Sequence, residues 1–165
     1  ASGQEGAAGP GRPRPMNAGP VVSGRRARHA GAMQRRTTST PHAPAAIGAY
    51  SQAVAVTGAA TWVYCSGQIA LDPATGQMQN GSVEVEARTC MENLKAVLGA
   101  SGAGLRDVVR CTIYLTDMAD FDTVNRIYGT YFPEDPPARA AIAVAGLPKG
   151  ARVEVEAIAA LPGRP

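Results

Sequence analysis

Pro137-Ala138-Arg139-Ala140-Ala141, followed by Val153-Glu154-Val155-Glu156, is the part of the chain best equipped for chemistry. An arginine set among small residues presents a planar fork that donates two parallel hydrogen bonds to a carboxylate. A glutamate on the next predicted strand could hold or deprotonate a water beside that ligand. The same two residues would equally suit a plain cross-strand ion pair. Little else competes for a catalytic role. Both histidines, His29 and His42, fall in an irregular N-terminal stretch, and the only lysines are Lys95 and Lys149. A His dyad, a zinc cluster or a Ser-His-Asp triad is therefore not expected in the folded part, and neither a metal nor an organic cofactor is implied. Cys65, Cys90 and Cys111 form an odd set without CxxC spacing, which reads as small buried residues in a reducing compartment.

The elements that must position Arg139 and Glu154 are legible from periodicity. Ser51–Val56 and Thr61–Ser66 read as two strands of a hairpin around Thr57-Gly58-Ala59-Ala60. From Ser82 to Ala100, apolar Val83, Ala87, Cys90, Met91, Leu94, Val97 and Leu98 recur at steps of three and four. That spacing predicts a helix, with Ser82 as N-cap and Gly102 near its end. Alternation of Val109, Cys111, Ile113 and Leu115 with Arg110, Thr112 and Tyr114 predicts a strand. A second helix over 120–132 has an apolar side of Phe121, Val124, Ile127, Tyr128 and Tyr131, and Pro133 stops it. Strands over 139–145 and 152–159 complete a ββ-α-β-α-ββ order. This is an α+β sandwich, with two helices on one face of a mostly antiparallel sheet.

Two helices cover one sheet face only, yet 140–145 and 157–161 are small and apolar at nearly every position. Strands of that kind are buried on both faces. With no element left over, a second subunit is expected to cover the other face, giving a closed homo-oligomer.

Composition divides the chain. Residues 1–42 form an Arg-rich extension expected to be disordered, and 43–165 form the folded domain. Residues 1–46 carry seven Arg against Glu5, a net +6, whereas the remainder carries −3. The isoelectric point near 9 thus reflects the extension. The mildly acidic domain lacks the basic face that nucleic-acid binding requires. The extension fits a mitochondrial transit peptide, residues upstream of a start at Met33, or a tail with no address. No apolar run approaches the ~20 residues needed to span a bilayer, so a cytoplasmic or mitochondrial location is expected.

Five segments together resemble a known family. They are Ala43-Pro44-Ala45-Ala46-Ile47-Gly48-Ala49-Tyr50-Ser51-Gln52-Ala53, Ser66-Gly67-Gln68-Ile69, Asp120-Phe121-Asp122-Thr123-Val124-Asn125, Pro137-Ala138-Arg139, and Leu147-Pro148-Lys149-Gly150-Ala151-Arg152-Val153-Glu154-Val155-Glu156. In order and spacing they resemble the RidA/YjgF family of reactive-intermediate deaminases. The resemblance implies a chorismate-mutase-like fold assembled as a homotrimer, with ligand clefts between subunits. It further implies hydrolysis of 2-iminobutanoate and 2-iminopropanoate to 2-oxo acids and ammonia without a cofactor. Arg139 would clamp the substrate carboxylate and Glu154 would hold or activate water. Tyr50, Ser66 and Asn125 would line the cleft, and Ala141 would contribute its backbone. Two positions depart from the family: Ala49 stands where Pro is frequent, and Ala141 where many members have Cys. Two other activities stay open, RNA cleavage with translation inhibition, and non-enzymatic binding of small carboxylates or chaperone-like action by a trimer.

Overall fold

The computed structural model describes residues 32–163. Its strands are β1 (Gln34–Thr38), β2 (Ala53–Thr57), β3 (Thr61–Gln68), β4 (Val108–Leu115), β5 (Ala138–Ala143) and β6 (Val153–Leu161). Its helices are α1 (Val83–Ala100) and α2 (Phe121–Tyr131). This is a mixed α+β fold with both helices on one side of a four-stranded sheet.

The helices begin and end as local chemistry dictates. Ser82 Oγ accepts a hydrogen bond from the Val85 N–H (3.3 Å), and Glu84 and Glu86 complement the positive end of the α1 dipole. Just past α1, Gly102 takes the left-handed conformation at φ 76° that closes a helix. The faces of α1 and α2 that carry Ala87, Cys90, Met91, Leu94, Leu98, Val124, Ile127 and Tyr128 are buried. Full burial of a leucine such as Leu94 or Leu98 contributes about 1.5–3 kcal/mol. The three cysteines are free and buried, as expected, and burial pushes the Cys90 and Cys111 thiols up to about 12.

The sheet runs in the order β3-β6-β4-β5. β6 is antiparallel to both neighbours, while β4 and β5 are parallel and joined through α2. A helical crossover is the usual way to link parallel neighbours. Register fixes which side chains share a face. Cys111, Ile113 and Leu115 of β4 align with Ala157, Val155 and Val153 of β6, and all six are buried beneath the helices. The alternate residues Thr112, Tyr114, Glu154, Glu156 and Ile158 point to the other side, which no helix covers.

Two expectations are corrected. β2 and β3 form where strands were predicted, but they do not pair as a hairpin. β2 pairs antiparallel with β1, and β3 pairs with β6. The three-residue connection 58–60 permits a hairpin without enforcing one. The second correction concerns β1 itself, which lies within the stretch expected to be disordered. Arg35 anchors it, donating to the Val108 carbonyl (3.2 and 3.3 Å) and to the Asp135 carbonyl (2.8 Å). The remainder of that expectation falls mainly on residues 1–31, outside the described residues.

One buried charge holds the start of β6. Glu86 is fully buried; its carboxylate accepts from both the Arg152 backbone N–H and Nε, each at 2.7 Å. Arg152 Nη2 donates in turn to the Asn80 carbonyl (3.1 Å). Burial of a carboxylate is tolerable only with partners of this kind.

Candidate functional site

Arg139 stands near the start of β5, on the edge of the four-stranded sheet, and aligns with Cys111 on the face that carries the helices. Its Nη1 donates to Asn125 Oδ1 (2.8 Å) from α2. Its guanidinium carbon lies 5.0 Å from the ring centre of Tyr128, 5.3 Å from that of Tyr50 and 5.8 Å from that of Phe121. Each distance falls within the cation–π range. Burial lowers the Arg139 pKa below the ordinary value. Among the described residues no carboxylate lies within ion-pair distance of Arg139.

The loop before β2 closes over this group because its backbone is tied down on both sides. Gln52 Nε2 donates to the carbonyls of Thr40, Ala43 and Pro44, and its Oε1 accepts from the Thr40 N–H. Ser51 donates from Oγ to the Pro136 carbonyl (2.6 Å) and from N–H to the Pro137 carbonyl (3.1 Å), just before Arg139. Tyr50 OH accepts from the Ile47 N–H (3.2 Å), which fixes its ring beside Arg139. Gly48 approaches so closely that a Cβ there would meet Asn125 Oδ1 at 2.8 Å and Arg139 Nη2 at 3.1 Å. A side chain at this position would displace the hydrogen-bonded Asn125–Arg139 pair.

Glu154 belongs to a different place. β4 separates β5 from β6, so Arg139 and Glu154 are not on neighbouring strands as expected from sequence order. Register separates them further. Arg139 aligns with Cys111, whereas Glu154 aligns with Tyr114, which sits on the opposite face. No ion pair joins them, which removes the cross-strand alternative. Glu154 instead presses on Gly67 of β3, where a Cβ would collide with its carboxyl group. The ladder between β3 and β6 shifts register between Cys65 and Gln68, and this bulge brings Ser66 and Gly67 to the Glu154 end of the open face. Beside it, Tyr114 OH donates to Glu156 Oε1 (3.1 Å).

The structure therefore gathers Arg139, Asn125 and Tyr50 into one cluster. Ala141 lies two residues along on the same face of an edge strand, where half the backbone groups lack ladder partners. Glu154, against Gly67, marks a second cluster on the other face, and Ser66 is the residue before Gly67 in β3. Sequence reasoning assigned Tyr128 to packing and did not single out Gly48 or Phe121 for the site. The available signal was spacing: Phe121, Asn125 and Tyr128 stand at i, i+4 and i+7 of α2, so a polar residue sits within an aromatic stripe. A cavity of ≈ 670 Å³ lies between residues 37–46 and Asp135–Pro136 and is lined by Tyr50 but not by Arg139, Asn125 or Glu154. Among the described residues there is no group of His, Cys, Asp and Glu able to hold a metal ion.

Comparison with known proteins identifies the family. Protein DfrA of Myxococcus xanthus is 54% identical over 127 residues, covering 77% of this chain and 96% of that protein. The 2-iminobutanoate/2-iminopropanoate deaminase of Rattus norvegicus is 53% identical over 125 residues, covering 76% of this chain and 89% of that protein. The crystal structure of E. coli TdcF with bound serine aligns at a TM-score of 0.59 with 37% identity, covering 76% of this chain and 98% of that one. The sequence model described as endoribonuclease L-PSP matches residues 40–161. With that match spanning both clusters and most of the chain, this protein belongs to the endoribonuclease L-PSP family, also known as RidA/YjgF.

Proposed function

We propose that the chain is a 2-iminobutanoate/2-iminopropanoate deaminase, hydrolysing these imines to 2-oxo acids and ammonia. The observation that carries this is Arg139, a half-buried arginine that among the described residues has no carboxylate partner and makes one side-chain hydrogen bond, to Asn125. Such a group suits the carboxylate of a small 2-imino acid. The deaminase named in Rattus norvegicus and the serine bound to TdcF are consistent with that ligand class.

With the carboxylate held by Arg139, Glu154 directs a water onto C2 of the protonated imine. The C–O bond forms as the C=N π electrons move to nitrogen. Glu154 accepts the water's proton, and a proton then reaches the nitrogen. The hydroxyl then gives up its proton to solvent, its electrons form the C=O bond as the C–N bond breaks, and ammonia departs to leave the 2-oxo acid. Orientation and a placed base are enough for such a reactive electrophile, since general base catalysis alone contributes about 10²–10⁴-fold. Tyr50 and Asn125 wall the carboxylate end, the Ala141 backbone adds a contact, and Ser66 stands at the water end.

Since one chain holds Arg139 and Glu154 on opposite faces, the site forms where a second copy docks, in a chorismate-mutase-like homotrimer. Trp62, Tyr64 and Ile142 are 45%, 74% and 46% exposed. Together with a groove of ≈ 490 Å³ lined partly by Trp62, Tyr64, Arg110, Ala138 and Ile158, they offer a partner an apolar surface. A cytoplasmic or mitochondrial location is part of this proposal. Among the described residues no helix is long and apolar enough to cross a membrane.

The test is 2-oxo acid formation from imines generated by an amino-acid oxidase acting on alanine or 2-aminobutyrate, with semicarbazide trapping free imine. Wild type accelerates the reaction, and Arg139→Ala loses about 10²-fold or more in kcat/KM while keeping its oligomeric state. No acceleration by folded wild type would contradict the proposal. RNA cleavage is the second reading, favoured by the family's description alone. It requires steeply salt-dependent RNA binding by the folded domain.

A further inference from the structure

The geometry points to Phe121 and Tyr128 as positioning residues. Together with Tyr50 they form an aromatic cage that keeps the Arg139 guanidinium charged, ordered and open-edged for a planar carboxylate. This rests on the carboxylate-binding reading above and explains how an arginine can be ready for such a ligand before it arrives.

Three arginines show the contrast within one molecule. Arg152 is committed to internal acceptors: the buried Glu86 carboxylate accepts from its Nε, and the Asn80 carbonyl accepts from its Nη2. Arg35 is similarly engaged, with the Val108 and Asp135 carbonyls accepting from Nε and Nη2. Both are held by oxygen acceptors, and both serve as staples between distant parts of the chain. Arg139 is more deeply set than a surface arginine, yet among the described residues its side chain makes one hydrogen bond, to Asn125. Ring faces replace the missing acceptors at 5.0, 5.3 and 5.8 Å.

The difference has a chemical consequence. A carboxylate partner would hold Arg139 firmly but would occupy the edge that a substrate carboxylate needs. A ring face attracts the cation through its quadrupole and takes no N–H donor. Asn125 fixes one nitrogen, Gly48 closes one side, and the rings restrain the rest. Burial disfavours the charge on Arg139, and the rings offset part of that cost without neutralising it. An arriving carboxylate therefore meets a preorganised, uncompensated fork.

Phe121 is the better test position because it is only half-buried at the first turn of α2, whereas Tyr128 belongs to the core. Binding of 2-oxobutanoate to the full-length protein is measured by calorimetry for wild type, Phe121→Leu and Phe121→Tyr, with folding checked by circular dichroism. Phe121→Leu keeps an apolar side chain but removes the ring, and weakens binding about five- to tenfold. Phe121→Tyr restores a ring and returns affinity to within about twofold of wild type. In imine hydrolysis, KM rises in Phe121→Leu more than kcat falls. Arginine side-chain NMR supplies a second measure: the Arg139 guanidinium signals carry a ring-current shift in wild type that diminishes in Phe121→Leu. Equal binding by Phe121→Leu and wild type, or equal weakness of the Leu and Tyr variants, would overturn the cage. Absence of 2-oxobutanoate binding by wild type would overturn the carboxylate site itself. Binding with the ring-dependent pattern but no imine turnover would leave the cage standing and remove only the reaction.

Discussion

The two faces of the four-stranded sheet are built to different ends. Beneath α1 and α2, Cys111, Ile113, Leu115, Val153, Val155, Ala157 and Ala159 are sealed from solvent in a core that one chain completes alone. Across the sheet, Trp62, Tyr64 and Ile142 remain exposed around Glu154, Glu156, Thr112 and Tyr114. The chemistry is divided along the same line. Arg139, the proposed carboxylate clamp, is positioned by elements of the covered side, and Glu154, proposed to direct water, by the bulge of β3 on the open side. On the proposed reaction, such a chain is complete as a core on one face and lacks half a site on the other, so assembly would have a catalytic purpose beyond stability.

The largest effect that would sharpen this contrast comes from Gly67→Ala. A methyl group there cannot coexist with the present position of the Glu154 carboxyl group. Displacing that carboxylate by an ångström should lower kcat/KM about 10²-fold or more. Carboxylate binding at Arg139 should change far less, as calorimetry with 2-oxobutanoate would show. Equal loss of binding and turnover would mean that the two clusters are not separable as described.

Assembly is expected to respond next. Tyr64→Lys places a charge at the most exposed aromatic of the open face. Loss of a central aromatic contact weakens an interface by about 2 kcal/mol or more, so light scattering should show smaller species at low protein concentration, with activity falling in parallel. An unchanged oligomer would place the interface elsewhere.

The smallest response is expected from the cysteines. Cys90 and Cys111 are fully buried with thiols pushed up to about 12, and burial also raises the Cys65 thiol. Below those values each thiol stays protonated, so thiolate fractions at pH 8 are negligible for Cys90 and Cys111. Native protein should therefore resist iodoacetamide at pH 8, and mass spectrometry should find all three modified only after denaturation.

The legible parts of this fold are those whose reasons are local. α1 follows from apolar steps of three and four behind Ser82, and β4 from simple alternation. β1 was not legible. Gln34-Arg35-Arg36-Thr37-Thr38 has no apolar period, and its anchors at Val108 and Asp135 lie 73 and 100 residues away in sequence. Arg139 drew notice through its small neighbours, but its aromatic surroundings did not, because Tyr128 in an apolar helical stripe reads as packing. The separation of Arg139 from Glu154 was beyond reach for a geometric reason. Their faces depend on β4 lying between β5 and β6 and on the register at Cys111 and Tyr114.

Subunit complementation tests the divided site most directly. Arg139→Ala and Glu154→Gln are each expected to be inactive alone, because each lacks one half of every site. Co-assembled in equal amounts, with mixed oligomers verified by native mass spectrometry, they should recover roughly a quarter of wild-type activity, the chance that a site formed between two copies draws both intact residues. Mixed oligomers that stay inactive would contradict the account, since a site contained within one chain cannot be rescued by its neighbour.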